Sequence, residues 1–208
     1  MPHSLSELFA LVWSGWLAAW PTGLIALIWI GWLISWAVAS FWSGRTQKRV
    51  MTWDAQAYRI PIIAGALLLT PWTAQALAVR PVWSVANAAA YVLAAVTLAG
   101  VLLTWWARIH LGYFWSNAIT RKEGHRVIDT GPYRFVRHPI YTGLIAAILA
   151  TGAAVGTVTA MLGAVLISLG LWQKARMEER FLSIELGADA YGAYRSRVPM
   201  LVPFLPHR

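Results

Sequence analysis

Cysteine is absent from this 208-residue chain. That excludes disulfides, thiolate metal sites and cysteine nucleophiles. Charge is scarce: Asp, Glu, Lys and Arg together make up 12% of the residues, against about 25% in ordinary soluble domains. Acid is scarcer still, with 8 Asp and Glu against 17 Lys and Arg and a net charge of +9. There is no phosphate-cradling glycine loop of the GxGxxG or GxxxxGKS kind, and no histidine pair at i,i+4. His110, His125 and His138 are too scattered to form a metal triad, so no metal is expected. The first twenty residues contain no Lys or Arg, so a cleaved signal peptide with a basic leading region is not expected.

What fills the chain is hydrocarbon. Hydrophobic residues make up 59%, and 14 are tryptophan, the residue enriched at membrane–water interfaces. The length fits one domain, residues 1–208, with residues 1–107 as amino-terminal spans and 108–208 as the polar, chemistry-bearing part. The expectation is an all-α integral membrane protein with about five transmembrane helices, the last two a hairpin, and a cofactor site on the cytoplasmic side. Residues 5–20 read as a short interfacial or partly inserted helix that Pro21 ends. Residues 23–42 carry no charge over about twenty positions, enough for one span. Residues 60–79 make a second, which Pro71 is expected to kink. After a tight turn at 80–83, residues 84–107 make a third. Residues 140–173 contain no Asp, Glu, Lys or Arg. One straight helix of that length would run roughly 50 Å, beyond the ~30 Å hydrocarbon core. The small residues and threonines of 151–159 therefore predict a turn between two helices. Helical periodicity then continues to about Glu185 and Gly187 is a candidate helix end; VPMLVPFLPHR at 198–208 closes the chain as a Pro-rich extended tail.

Basic residues orient this arrangement. Segments 43–59, 108–139 and 174–208 hold 16 of the 17 Lys and Arg; the opposite face holds only Arg80. By the positive-inside tendency those three segments face the cytoplasm, with the amino terminus outside and the carboxy terminus inside. The same asymmetry accounts for the net positive charge without a nucleic-acid partner.

Two polar stretches then share one side: GPYRFVRHPIYTG at 131–143, and the helix leaving the last span at 174–185. A hairpin brings His138, Arg137 and Tyr141 within reach of Glu178 and Glu179. Taken singly, each has an ordinary reading. Arg134 and Arg137 anchor interfaces, His138 precedes a helix whose first position is Pro139, Lys174 and Glu178 form an i,i+4 surface pair, and Tyr133 and Tyr141 are amphipathic interface residues. Clustered, the carboxylates suit ribose hydroxyls or a cation, and the arginines suit a carboxylate or phosphate. Gly131 and Gly143 permit close backbone approach. The cluster describes a site for a zwitterionic, partly cationic small molecule.

The RHPxYxG stretch (Arg137, His138, Pro139, Tyr141, Gly143) resembles the signature of the isoprenylcysteine carboxyl methyltransferases and related membrane methyltransferases. The resemblance extends through LGYFWS at 111–116, KEGHRVIDTGPY at 122–133, EERFL at 178–182 and YGAYRSRVPMLVP at 191–203. It covers about the last hundred residues. It implies S-adenosylmethionine as methyl donor, held by His138, Pro139, Tyr141, Gly143, Tyr133, Arg134, Glu178 and Glu179. It also implies a basic residue near the acceptor, for which Lys174 and Arg176 stand nearest, with Arg137 and Glu179 as further catalytic candidates. The implied acceptor is lipophilic and membrane-resident, either a carboxylate such as a prenylcysteine-like group or a lipid amine. Membrane lipids are the other expected partner. Membrane sterol reductases with a nicotinamide cofactor share a similar carboxy-terminal pattern and form the rival enzyme reading; a non-enzymatic membrane scaffold is the third.

Overall fold

A computed structural model describes residues 22–41, 46–49, 56–112, 115, 120–122, 128–185 and 188–205. The expectations for residues 5–20, for Pro21 and for Gly187 fall outside them. The described elements are α1 (Thr22–Ala39), β1 (Thr46–Arg49), α2 (Arg59–Leu69), α3 (Pro71–Ala76), α4 (Asn87–Leu111), β2 (Thr120–Lys122), a 3₁₀ turn (Gly131–Arg134), α5 (Pro139–Val155), α6 (Val158–Glu185) and α7 (Ala188–Arg197). The architecture is helical apart from one two-stranded ribbon. In it β1 and β2 run antiparallel with Thr46 opposite Lys122 and Arg49 opposite Thr120. That ribbon joins two of the basic segments, 43–59 and 108–139, which the charge pattern assigned to one face.

Two helices, α4 and α6, are long and apolar enough to cross a membrane; α1, α2 and α5 are shorter apolar helices. Outward-facing positions are apolar along all of them: Leu33, Ile34, Val38, Ile63, Leu67, Leu98, Leu102, Leu149, Leu162 and Leu169 are exposed. So wide an apolar surface is unusual for a protein bathed in water and suits lipid.

The turn between α5 and α6 falls where the small residues predicted it. Pro139 occupies the first turn of α5, where its missing N–H costs nothing. The helix ends at Gly156, whose φ of 74° is the left-handed cap glycine accepts without strain. Thr157 then caps α6 by accepting a hydrogen bond from the Ala160 N–H at 3.2 Å. The 80–83 segment seals this end: Val82 N–H donates to Gly156 O at 2.8 Å and Trp83 Nε1 to Ala153 O at 2.9 Å. With 28 residues, α6 is about 42 Å long. That is longer than a hydrocarbon core of about 30 Å.

Pro71 acts differently from the expected kink. The residue before a proline is driven from helical to extended backbone, and Thr70 obeys, with ψ at 143°. Its hydroxyl then caps Thr73 N at 3.3 Å and a new helix, α3, begins with Pro71 in its first turn. The stretch 60–79 is thus two helices meeting at a corner.

Small residues set the helix contacts. In lipid, association rests on close packing and polar contacts between helices, because lipid tails are as apolar as the side chains. Gly100 of α4 meets Gly143 of α5 backbone to backbone, and Gly65 of α2 meets Gly163 of α6 in the same way. Between these contacts, Ile148, Ala164, Ile167 and Leu171 form the core, with Ile62, Leu144 and Tyr141 packed around it. Tryptophans of α1 supply polar ties: Trp29 Nε1 donates to Thr151 Oγ1 at 3.0 Å and Trp32 Nε1 to Thr104 Oγ1 at 2.9 Å. Both threonines return their own protons to carbonyls one turn back, so each hydroxyl is used twice.

A Cβ at Gly100 would collide with the Gly143 carbonyl, which is backbone and cannot turn aside. Gly100→Ala is expected to destabilise the bundle by about 1–3 kcal/mol, the usual cost of overpacking. Gly31→Ala, with nothing within 4 Å of the added carbon, is expected to stay within about 0.5 kcal/mol of wild type. Thermal unfolding of both variants in detergent measures the difference.

Candidate functional site

Arg137, His138, Tyr141, Glu178 and Glu179 converge where the α5–α6 hairpin opens. The convergence follows from the connection: α5 starts at Pro139, so the residues just before it stand beside the last turns of α6. Arg137 Nε donates to Glu179 Oε1 at 2.5 Å, and the two side chains are each 8% exposed. The other face of the guanidinium serves the carboxy-terminal segment: Nη1 donates to Arg195 O at 3.0 Å and also to Val198 O. The backbone continues the junction. Arg137 N–H donates to Pro199 O at 2.8 Å, His138 N–H to Met200 O at 3.1 Å, and Thr142 Oγ1 to Leu201 O at 2.7 Å. The tail is therefore laced along the start of α5, with Arg137 as its central knot.

His138 is buried between the two carboxylates. Its Nδ1 lies 3.6 Å from Glu178 Oε2 and its Nε2 3.3 Å from Glu179 Oε1. Neither contact is a well-formed hydrogen bond: the first is too long, and Nε2 is out of line and lacks a hydrogen-bonding partner. Tyr141 lies nearly parallel to the imidazole at 5.6 Å between centroids and donates its hydroxyl to Glu178 Oε1 at 2.6 Å. Lys174 hangs over the rings of Tyr141 and Tyr58 at 5.4 and 5.5 Å.

The remaining sequence candidates are placed as follows. Tyr133 is buried and donates to Ala107 O at 3.4 Å, while Tyr194 donates to Tyr133 O at 2.7 Å. Burial, first of all, raises the phenols of Tyr133, Tyr191 and Tyr194 above the ordinary range, so all three are held neutral. Pro139 is fully buried at the helix start, and Gly143 is buried against Gly100 as a helix contact. Arg134 is exposed, over the Phe135 ring at 4.5 Å, and Arg176 is exposed, over Trp172 at 5.0 Å. A cavity of about 900 Å³ opens beside the cluster, lined by Arg137, Glu179, Trp172, Arg176, Met200 and Leu201 among others. That volume is at the upper end of what small-molecule sites need.

Sequence reasoning missed the tail. Residues 188–197 form α7, whose Tyr191 and Tyr194 pack with Val198 and Leu182 and so deliver the carbonyls that Arg137 binds. The i,i+3 spacing of the two tyrosines marks one helix face and was the available signal. Among the described residues no group of three or more His, Cys, Asp or Glu could hold a metal ion.

Donors and acceptors here suit a ligand of mixed charge. One carboxylate, Glu179, is already matched by Arg137. The second, Glu178, accepts from Tyr141 and lies beside His138. The unbonded His138 Nε2 offers a further polar contact to a ligand.

Residues 92–184 match the model of the Isoprenylcysteine carboxyl methyltransferase (ICMT) family, a stretch that includes every member of the cluster. Two curated relatives are similar to the chain. One is Protein-S-isoprenylcysteine O-methyltransferase of Schizosaccharomyces pombe, 32% identical over 106 residues, which cover 48% of this chain and 43% of the relative. The other is Methanethiol S-methyltransferase 1 of Bradyrhizobium diazoefficiens, 31% identical over 176 residues, or 76% of this chain and 60% of the relative. The chain thus spans about half the length of the curated relatives it matches. These two relatives are named as methyltransferases, and the family-model match includes the site.

The Arg137–Glu179 pair gives a stability prediction. Arg137→Met leaves a buried carboxylate with its main partner gone and frees two carbonyls, so a loss of about 3–5 kcal/mol is expected. The double variant Arg137→Met/Glu179→Met is expected to lose less than the sum of the single changes. Denaturant unfolding of the three variants in detergent reads this out.

Proposed function

We propose that the chain is an S-adenosylmethionine-dependent methyltransferase embedded in a membrane. We further propose that it acts on a lipophilic or small, membrane-soluble acceptor carrying its own nucleophilic oxygen or sulfur. The observation behind this reading is the meeting of His138, Tyr141, Glu178 and Glu179 at the hairpin mouth, inside the stretch that matches a methyltransferase family.

When bound, S-adenosylmethionine supplies an electrophilic methyl group on a cationic sulfonium. Glu178, with His138 and Tyr141 around it, is suited to hold the cationic and hydroxyl-bearing parts of such a molecule. Pro139 and the buried Gly143 fix the backbone from which these side chains project. Methyl transfer is an in-line displacement that depends chiefly on alignment and on exclusion of water. The buried, aromatic surroundings of His138 serve that exclusion. Glu179 is engaged by Arg137 and is poorly placed to take a proton. That favours an acceptor that needs no general base, such as a carboxylate or a thiolate. The printed names of the two relatives, one an O-methyltransferase and the other an S-methyltransferase, span those two nucleophiles. Arg176, on the same helix as Glu178 and Glu179, lines the cavity and is a basic group available to an anionic acceptor; Lys174 lies over Tyr141 and Tyr58.

The proposal includes five spans and a site on the cytoplasmic side. The charge distribution supports the orientation, and the ~42 Å length of α6 supports a site at the membrane surface. A lipophilic acceptor then enters sideways between helices while the donor comes from water.

Calorimetric titration of the purified protein with S-adenosylmethionine is expected to show binding. Glu178→Gln and His138→Ala are each expected to weaken it roughly 10-fold or more, the scale of a lost charge-assisted contact. Binding of a reduced nicotinamide instead, seen in its fluorescence, would replace this reading by the reductase, and binding of neither would leave a scaffold. Orientation is tested on Ala154→Cys, a lone thiol in a chain without native cysteine. An impermeant reagent applied outside intact cells is expected to label it; labelling only after the cells are opened would invert the topology.

A further inference from the structure

Away from the cluster, one charged side chain is buried with most of its donors unspent. Arg108 lies in the last turn of α4 and is 4% exposed. Its guanidinium is stacked 3.4 Å from the centroid of Trp115 and stands 5.4 Å from that of Trp36. Trp36 in turn contacts Trp32, Trp105 and Trp115, so the charge sits in an aromatic box. Nη2 donates to Ala39 O at the end of α1. Nε and Nη1 have no hydrogen-bond partner, and among the described residues no carboxylate pairs with Arg108.

A structural role accounts for part of this. An arginine at a helix carboxy terminus is favoured by the dipole, and the bond to Ala39 O ties α1 to α4. That role uses one N–H of five. Nη2 carries two protons and Ala39 takes one, so a complete two-pronged edge remains, Nη2 together with either Nε or Nη1. Such an edge matches the two oxygens of a carboxylate. Leaving a desolvated guanidinium without an anion is costly, and the cost is removed when an oxyanion arrives. The position fits a role at the site: Tyr133, in the turn that leads to His138, donates to Ala107 O next door to Arg108, and it lies within electrostatic range of both Arg108 and Glu178.

We propose that Arg108, boxed by Trp36 and Trp115, receives a carboxylate or comparable planar oxyanion carried by a ligand of the hairpin-mouth site. The choice of ligand rests on the methyltransferase reading. The carboxylate is either that of the methyl donor's amino acid end or that of the acceptor.

The test compares acid and non-acid forms of two probes on the full-length protein in detergent: S-adenosylmethionine against its decarboxylated form, and S-farnesylcysteine against its carboxamide. Wild type is expected to prefer the acid about 10- to 100-fold in at least one pair. Arg108→Gln is expected to bring that preference close to one, while the non-acid form binds as before. The pair that collapses names the source of the oxyanion. Arg108→Lys keeps the charge and the ring contact without the fork, so it folds if Gln does not; it is expected to lose at least five-fold of the same preference. No acid preference in wild type, or a preference unchanged in a variant that melts with wild type, overturns the proposal. If wild type binds neither form of the donor, the methyltransferase reading fails, and the second pair alone decides the role of Arg108.

Discussion

The Arg137–Glu179 contact is the point on which the described structure turns. In a chain with so few charges, a buried ion pair is a strong local constraint, because neighbouring charge and water screen it little. Glu179 comes from α6, Arg137 from the segment before α5, and the carbonyls of Arg195 and Val198 from the far end of the chain. One guanidinium therefore joins three segments that are remote in sequence. Its directional donors allow this, since a planar group with five N–H bonds can face a carboxylate on one side and backbone on another. Hydrophobic packing could not specify the same junction, because in lipid every outward face is equally welcome.

Above that junction the bundle is held by the near-absence of side chains. Gly100 against Gly143 and Gly65 against Gly163 bring backbones together where a methyl group would intrude. Gly143 belongs to the same short stretch as His138 and Tyr141. The close helix contact that locates α5 against α4 is thus one turn from the side chains that make up the candidate site. Position of helix and position of chemistry are coupled within five residues.

Much of this was legible in the residues. The charge-free stretch 140–173 exceeded a membrane's thickness, and its small residues located the turn now seen at Gly156 and Thr157. The same hairpin brought residues forty apart to one place. Other features were hidden for physical reasons. Pro71 looked like a kink because the residues on either side are apolar; only the extended backbone of Thr70 and its cap make the corner. The α7 helix carries little amphipathic pattern, since its stability comes from two tyrosines packing on Val198. The ribbon of β1 and β2 consists of short polar runs whose pairing is long-range and leaves no periodic trace. Arg108 drew no separate reading from the sequence, and only the tryptophans gathered around it from α1 and from position 115 set it apart.

The lacing of residues 199–201 along the start of α5 has a consequence in time. Hydrogen bonds from Arg137, His138 and Thr142 reach carbonyls about sixty positions further on. Contacts so distant in the chain form after local helices, because the intervening loop must first be closed. The tail is also the last of these segments to be synthesised. Until residues 199–201 are made, a chain that already holds the histidine and the two glutamates lacks the backbone wall that the tail lays along the start of α5.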